Sequence, residues 1–109
     1  MWHKLTIVVP KVGGSSNDGN AENTKEFVAK TLSSLFGGAT IQDGQGVWVN
    51  EEGVLVKDDV WLVWAFADPT NGVTVLQDAA KTLGKFVKAD LSQDTVMTSI
   101  EEVHSVTFW

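Results

Sequence analysis

Two helix-like apolar stripes, each set between β-rich runs, give the element order strand, helix, strand, strand, helix, strand. Two β-α-β halves in that order predict an α+β domain. Its sheet has four antiparallel strands with both helices on one face, the ferredoxin-like split fold. A chain of 109 residues is expected to form a single domain over 1–109. Its 43% hydrophobic and 20% charged content is that of an ordinary globular protein.

The elements follow in order. Leu5, Ile7 and Val9 alternate with Thr6 and Val8, so residues 2–9 read as a strand that Pro10 ends. The stretch KVGGSSNDGNAEN has glycine-rich turns and almost nothing apolar, and reads as a long loop over residues 11–22. Loops of about a dozen residues are uncommon in compact domains and tend to be functional or mobile. Asn23-Thr24-Lys25-Glu26 fits a capping box. Behind it Phe27, Val28, Leu32, Leu35 and Phe36 recur at helical spacing, with Lys25, Lys30 and Ser33 on the other side. Gly37-Gly38 ends that helix, since glycine accepts the left-handed conformation.

Asn50-Glu51-Glu52-Gly53 fits a type I turn closed by a glycine bulge. Placing Val49 opposite Val54 puts Trp48 opposite Leu55 and Val47 opposite Val56. The run VWLVWAFA that follows Asp58-Asp59 is apolar on both faces, as a central strand is. A turn at residues 68–72 leads to Thr74-Val75-Leu76-Gln77, a second capping box. Leu76, Ala79, Ala80, Leu83 and Val87 form the second stripe, with Gly84 inside it. TVMTSI and SVTFW read as one kinked terminal strand or two short ones.

The stretches FGGATIQDGQGVWVNEEGVLVKDDVWLV and LSQDTVMTSIEEV, with a capped helix between them, resemble a group of small uncharacterised bacterial and phage proteins of about a hundred residues. The match spans most of residues 5–103 and rests on turn, cap and hairpin signals. It implies the same ferredoxin-like fold and carries no catalytic assignment. Its phage side implies a small inhibitor or adaptor that engages a host protein, such as an anti-defence protein.

Composition restricts the chemistry. Eight lysines, no arginine and a net charge of −6 argue against direct nucleic-acid binding. With no cysteine, thiol chemistry and disulfides are excluded. His3 and His104, on terminal strands, form no metal-ligand motif, so no metal site is expected. No serine sits in a nucleophile elbow, no catalytic residue stands out and no cofactor is expected. Gly13-Gly14 and Gly44-Gln45-Gly46 read as turns. The pairs Glu51-Glu52, Asp58-Asp59 and Glu101-Glu102 read as solvated charge, with Glu51, Glu52, Asp58 and Asp59 the candidates for acidic contacts with a partner. The apolar run from Leu5 to Pro10 is too short for a signal-peptide core or a membrane span, so a cytoplasmic protein is expected.

The tryptophans carry the functional expectation. The hairpin register above puts Val60, Leu62, Trp64 and Phe66 in the helix-covered core, and Trp48, Leu55, Trp61 and Val63 on the open face. An exposed apolar patch with two tryptophans marks an interface. The expected function is a non-catalytic interaction module that forms a homodimer through the open sheet face or an edge strand, or engages a heterologous protein. The alternative is a ligand-binding protein or enzyme of the dimeric α+β barrel kind.

Overall fold

The structure is a computed structural model that describes residues 1–11 and 18–109. The glycine-rich loop expected over 11–22 falls partly on residues outside those described. The elements are β1 (Trp2–Pro10), α1 (Asp18–Phe36), β2 (Thr40–Val49), β3 (Leu55–Ala67), α2 (Val73–Asp90) and β4 (Thr98–Val103). They form one antiparallel sheet in the order β2-β3-β1-β4, with both helices on one face. This is the expected ferredoxin-like β-α-β-β-α-β arrangement.

The core lies between sheet and helices. Leu5, Ile7 and Val9 of β1 and Val63 and Ala65 of β3 meet Ala21, Val28 and Leu32 of α1 and Ala80, Leu83 and Val87 of α2. α1 begins five residues before the expected cap, which leaves Asn23 inside the helix. The segment before Asn23 is polar, yet Ala21 is fully buried and continues the inward stripe through Thr24, Lys25, Val28 and Leu32. The helix is thus rotated from the expected orientation, and Phe27 and Leu35 lie about half exposed. Phe27 stacks instead against Phe86 of α2, with ring centroids 4.4 Å apart.

The stripe of α2 is as expected, with Leu76, Ala80, Leu83 and Val87 buried. Its N-cap is Gly72, without a side-chain hydrogen bond, so the expected box at Thr74 does not form. Gly84 has a packing reason: a Cβ there would meet Thr98 Cγ2 at 3.2 Å. Gly84→Val is therefore expected to cost roughly 1–3 kcal/mol through overpacking. Urea denaturation checks this, and an unchanged midpoint would show that α2 and β4 are not in such close contact. SVTFW forms no strand: β4 stops at Val103, and residues 105–109 carry no regular structure.

The hairpin turn has the expected form, with a register one residue different. Asn50 donates its N–H to the Val54 carbonyl and accepts from Gly53 N–H, both at 3.0 Å, while Gly53 takes φ 78°. Asn50 itself therefore faces Val54, so Val49 pairs with Leu55 and Trp48 with Val56. Pairing runs unbroken through Asp58 and Asp59, with no bulge. One residue of slip moves every β3 side chain to the other face relative to β2. Trp61 and Val63 consequently belong to the helix-covered face, where Val63 is 0% exposed and Trp61 packs against the core. Val60, Leu62, Trp64 and Phe66 line the open face, the reverse of the expectation. Trp48 keeps the expected face because the slip lies across from it.

Candidate functional site

Beyond the helices, β2 and β3 continue as a two-stranded arm, and the molecule measures 45 × 28 × 27 Å. Along the arm Val47, Trp48, Val49, Val54 and Leu55 are 57%, 53%, 63%, 54% and 52% exposed. Val47, Val49 and Leu55 take one face, Trp48 and Val56 the other. An isolated two-stranded ribbon is marginal in water, and this one is apolar on both sides. Trp48 Nε1 donates to Asp58 Oδ2 at 3.0 Å, which ties the indole to β3 on the open face. Glu51 and Glu52 sit exposed at the arm's tip.

The strand order makes β2 an edge strand. Edge strands are commonly blunted by lysine, proline or a bulge, whereas TIQDGQGVWV carries neither residue and its one charge is Asp43. That carboxylate is tied to Lys11 Nζ at 2.7 Å. The hydrogen bond and charge of Lys11 hold its pKa below the ordinary value of 3.8. A depressed carboxyl pKa stabilises the folded state above the unfolded value, and that contribution is lost as pH falls through the folded one. An NMR titration of the Asp43 carboxyl carbon is expected to show a midpoint below 3.8, rising toward it in Lys11→Ala. Equal midpoints would show that the ion pair is not populated.

Trp61 lies under two lysines. Lys11 Nζ is 5.6 Å and Lys25 Nζ 4.7 Å from its ring centroid. Lys25, expected on the solvated side of α1, is buried and held by Glu22 and Glu26. The hydrogen bond that Lys25 donates to Glu22 raises its pKa against the opposing effect of burial. The flanking carboxylates at i−3 and i+1 were the available sign that this lysine leaves water. Among the acidic pairs, Asp58 and Asp59 point to opposite faces, Asp58 to Trp48 and Asp59 to Gln45 Nε2 at 3.3 Å. They do not converge with Glu51 and Glu52. β1 and β4 pair, which brings His3 and His104 to the same end of the sheet. Among the described residues no three His, Asp or Glu side chains gather as metal ligands.

The sheet also carries a notch that no sequence pattern marks. β2 pairs with β3 only as far as Thr40 opposite Trp64, while β1 follows β3 to Ala67. The notch left beside Ala65–Ala67 is a cavity of about 350 Å³. Its walls are Phe36, Trp64, Phe66 and Phe108, with the backbone from Gly37 to Thr40 as a rim. Trp64 Nε1 donates to Gln42 Oε1 at 3.2 Å, and Phe66 meets the indole edge-on at 5.2 Å. Lys4 Nζ stands 4.3 Å from the Trp64 ring centroid. Phe108 rests against Trp2 at 5.8 Å, covering part of the open face, whereas Trp109 is fully exposed. No signal in the sequence marked this place, because the notch depends on where β2 begins relative to β3.

No protein-family model and no curated protein matches the sequence. Solved structures do share the fold. A phage SAM lyase in complex with S-methyl-5'-thioadenosine superposes with a TM-score of 0.69 at 17% identity, covering 93% of this chain and 81% of the other. The divalent cation tolerance protein Cut A1 of Thermus thermophilus gives 0.60 at 17% identity, with 98% and 88% covered. The periplasmic divalent cation tolerance protein CutA of Archaeoglobus fulgidus gives 0.56 at 14%, again with 98% and 88% covered. At these identities the likeness is one of fold. No described helix is long and apolar enough to cross a membrane.

Proposed function

We propose that this chain is an interaction module that self-associates, with the β2–β3 arm as its principal contact. The observation that supports this is the arm itself: five large apolar residues, each more than half exposed, on a ribbon that no described helix covers. A patch of this kind rarely stays in water on a monomer. A second copy supplies both an apolar surface for the arm and hydrogen-bond partners for the unblunted edge of β2. A dimer is the simplest such assembly. A heterologous target, such as a host defence protein bound by a phage inhibitor, would use the same arm. Native mass spectrometry tests the reading: a mass that is a multiple of the chain's own is expected. A monomer at all concentrations would sink it.

A second reading, a small-ligand-binding protein or enzyme, is supported by the aromatic notch and by the likeness to a phage SAM lyase that binds S-methyl-5'-thioadenosine. Pockets for small molecules begin at about 300 Å³ and are apolar with a few polar groups, and the notch meets that description. Incubation with S-adenosylmethionine, followed by chromatography for S-methyl-5'-thioadenosine, tests the enzymatic form. Adduct masses of a few hundred daltons in the native spectrum, as about one nucleoside-sized ligand would give, test the binding form.

A further inference from the structure

We infer that the β2–β3 arm of one copy lies in the groove between α1 and α2 of a second copy, so that the assembly is built arm to groove and not arm to arm. The inference rests on the self-association reading above and names the surface that receives the arm. The two helices leave an apolar groove between them, a cavity of about 430 Å³ that no strand residue lines. Its walls are Phe27 and Leu35 of α1 and Val75, Ala79, Leu83 and Phe86 of α2. Phe27, Leu35 and Val75 are about half exposed there, outside the buried stripes that hold each helix to the sheet. Apolar side chains left open in a concave surface suit an apolar partner that projects.

The dimensions agree. Along α2 the groove runs from Val75 to Phe86, about 17 Å at the rise of an α-helix. The arm runs from Val47 to Glu51, about 13 Å at the rise of a β-strand. Its Val47, Val49 and Leu55 face can therefore lie within the groove along its whole length.

Charge decides between this arrangement and arm against arm. The hairpin carries Glu51, Glu52, Asp58 and Asp59 against Lys57 alone. Two such arms set together bring like charges into contact, which opposes binding. α2 has the opposite sign. Lys81, Lys85 and Lys88 are exposed and line a second cavity along its outer side. No ion pair among the described residues engages them. Lys85 directly precedes Phe86 of the groove wall. The one charged side chain in the lining, Asp78, belongs to the Val75 half. The carboxylates at the arm's tip therefore favour the other end, by Phe86 and Lys85. Complementary charge of this kind steers the encounter and fixes the orientation.

Val75→Glu tests the groove in the full chain. Val75 is 48% exposed in the first turn of α2, where a carboxylate favours the helix. The variant is expected to keep the parent's thermal midpoint and to lose about a hundredfold in association constant, because the arm would bury an unpaired carboxylate. Leu35→Glu, on the facing wall and 50% exposed, is expected to do the same. Mixing separates arm to groove from arm to arm. A Leu55→Asp chain keeps its groove and a Val75→Glu chain keeps its arm. Each alone is expected to be monomeric, and native mass spectrometry of the mixture is expected to show a species with one chain of each kind. Glu51→Lys with Glu52→Lys is expected to weaken association about tenfold at low salt, and mixing with a Lys81→Glu, Lys85→Glu chain to restore it. Groove variants that assemble as the parent does, beside a monomeric Leu55→Asp, would overturn the inference while the self-association reading stands. A mixture that stays monomeric would do the same. A Leu55→Asp chain that assembles like the parent would remove the arm as the contact, and this inference with it.

Discussion

Leu55→Asp is expected to give a folded monomer. Leu55 lies on the arm beyond the helices, 52% exposed, paired with Val49 and beside Val47 on one face of the ribbon. A carboxylate placed there stays hydrated in the isolated chain, and surface substitutions of this kind usually change stability by within about 0.5 kcal/mol. In an assembly that covers the arm, the same carboxylate is buried without a partner, and stripping its water costs several kcal/mol. Each 1.4 kcal/mol weakens association about tenfold. The expected result is a shift of two or more orders of magnitude in the self-association constant, on the order set by that desolvation cost. Sedimentation across a concentration series reads it, beside a urea curve for the fold. An unchanged association constant would show that the arm is not the contact. Trp48→Ala probes the other face of the ribbon, and an effect there as well would mean that both faces are covered.

How far the sequence could be read depends on which physical signal each element carries. The strand order and the α2 stripe were legible because burial of a repeating apolar face is a sum over many residues, and no single residue decides it. Leu76, Ala80, Leu83 and Val87 point inward whatever happens at Gly72. The start of α1 was not legible because Asp18 to Asn23 holds little that is apolar: one alanine, Ala21, is enough to seat that turn, and a lone alanine is no signal. Tertiary burial of Thr24 and Lys25 then outweighs the local preference of Asn23 for a cap. Thr24 donates to the carboxylate of Asp90 and ties α1 to α2 across 66 residues of chain, a pairing that no local pattern announces.

The faces of β3 differ from the expectation for a narrower reason. The turn type at Asn50–Gly53 was identified from its residues, yet a type I turn with a glycine bulge closes on Asn50 and Val54, with three residues between them. Counting Asn50 as part of the loop moves the register by one. In a strand whose side chains alternate strictly, that is enough to exchange core and surface for the rest of its length. VWLVWAFA is apolar at every position, so its composition offered no independent check. In β1 the partner positions alternate, and its buried Leu5, Ile7 and Val9 were read on one face.

Val63→Asp carries this difference to its largest measurable consequence. The register expected from the sequence puts Val63 with Leu55 and Trp48 on an exposed interface, where aspartate would disturb only association. The observed register pairs Val63 with Ile7 and Ile41 and buries it completely beneath α1, among Leu5, Val28 and Leu32. A carboxylate there has no cationic partner in the core cluster and must either lose its hydration or protonate. Losses from burying an unpaired charge reach about 4–5 kcal/mol or more, against a total stability of roughly 5–15 kcal/mol for a domain. The variant is expected to be largely unfolded or to melt far below the parent, by circular dichroism, at any protein concentration. The same substitution at Leu55 leaves the melting curve of the separated chains in place. A Val63→Asp chain that folds normally and only fails to assemble would return Val63 to the surface, and with it the whole assignment of β3.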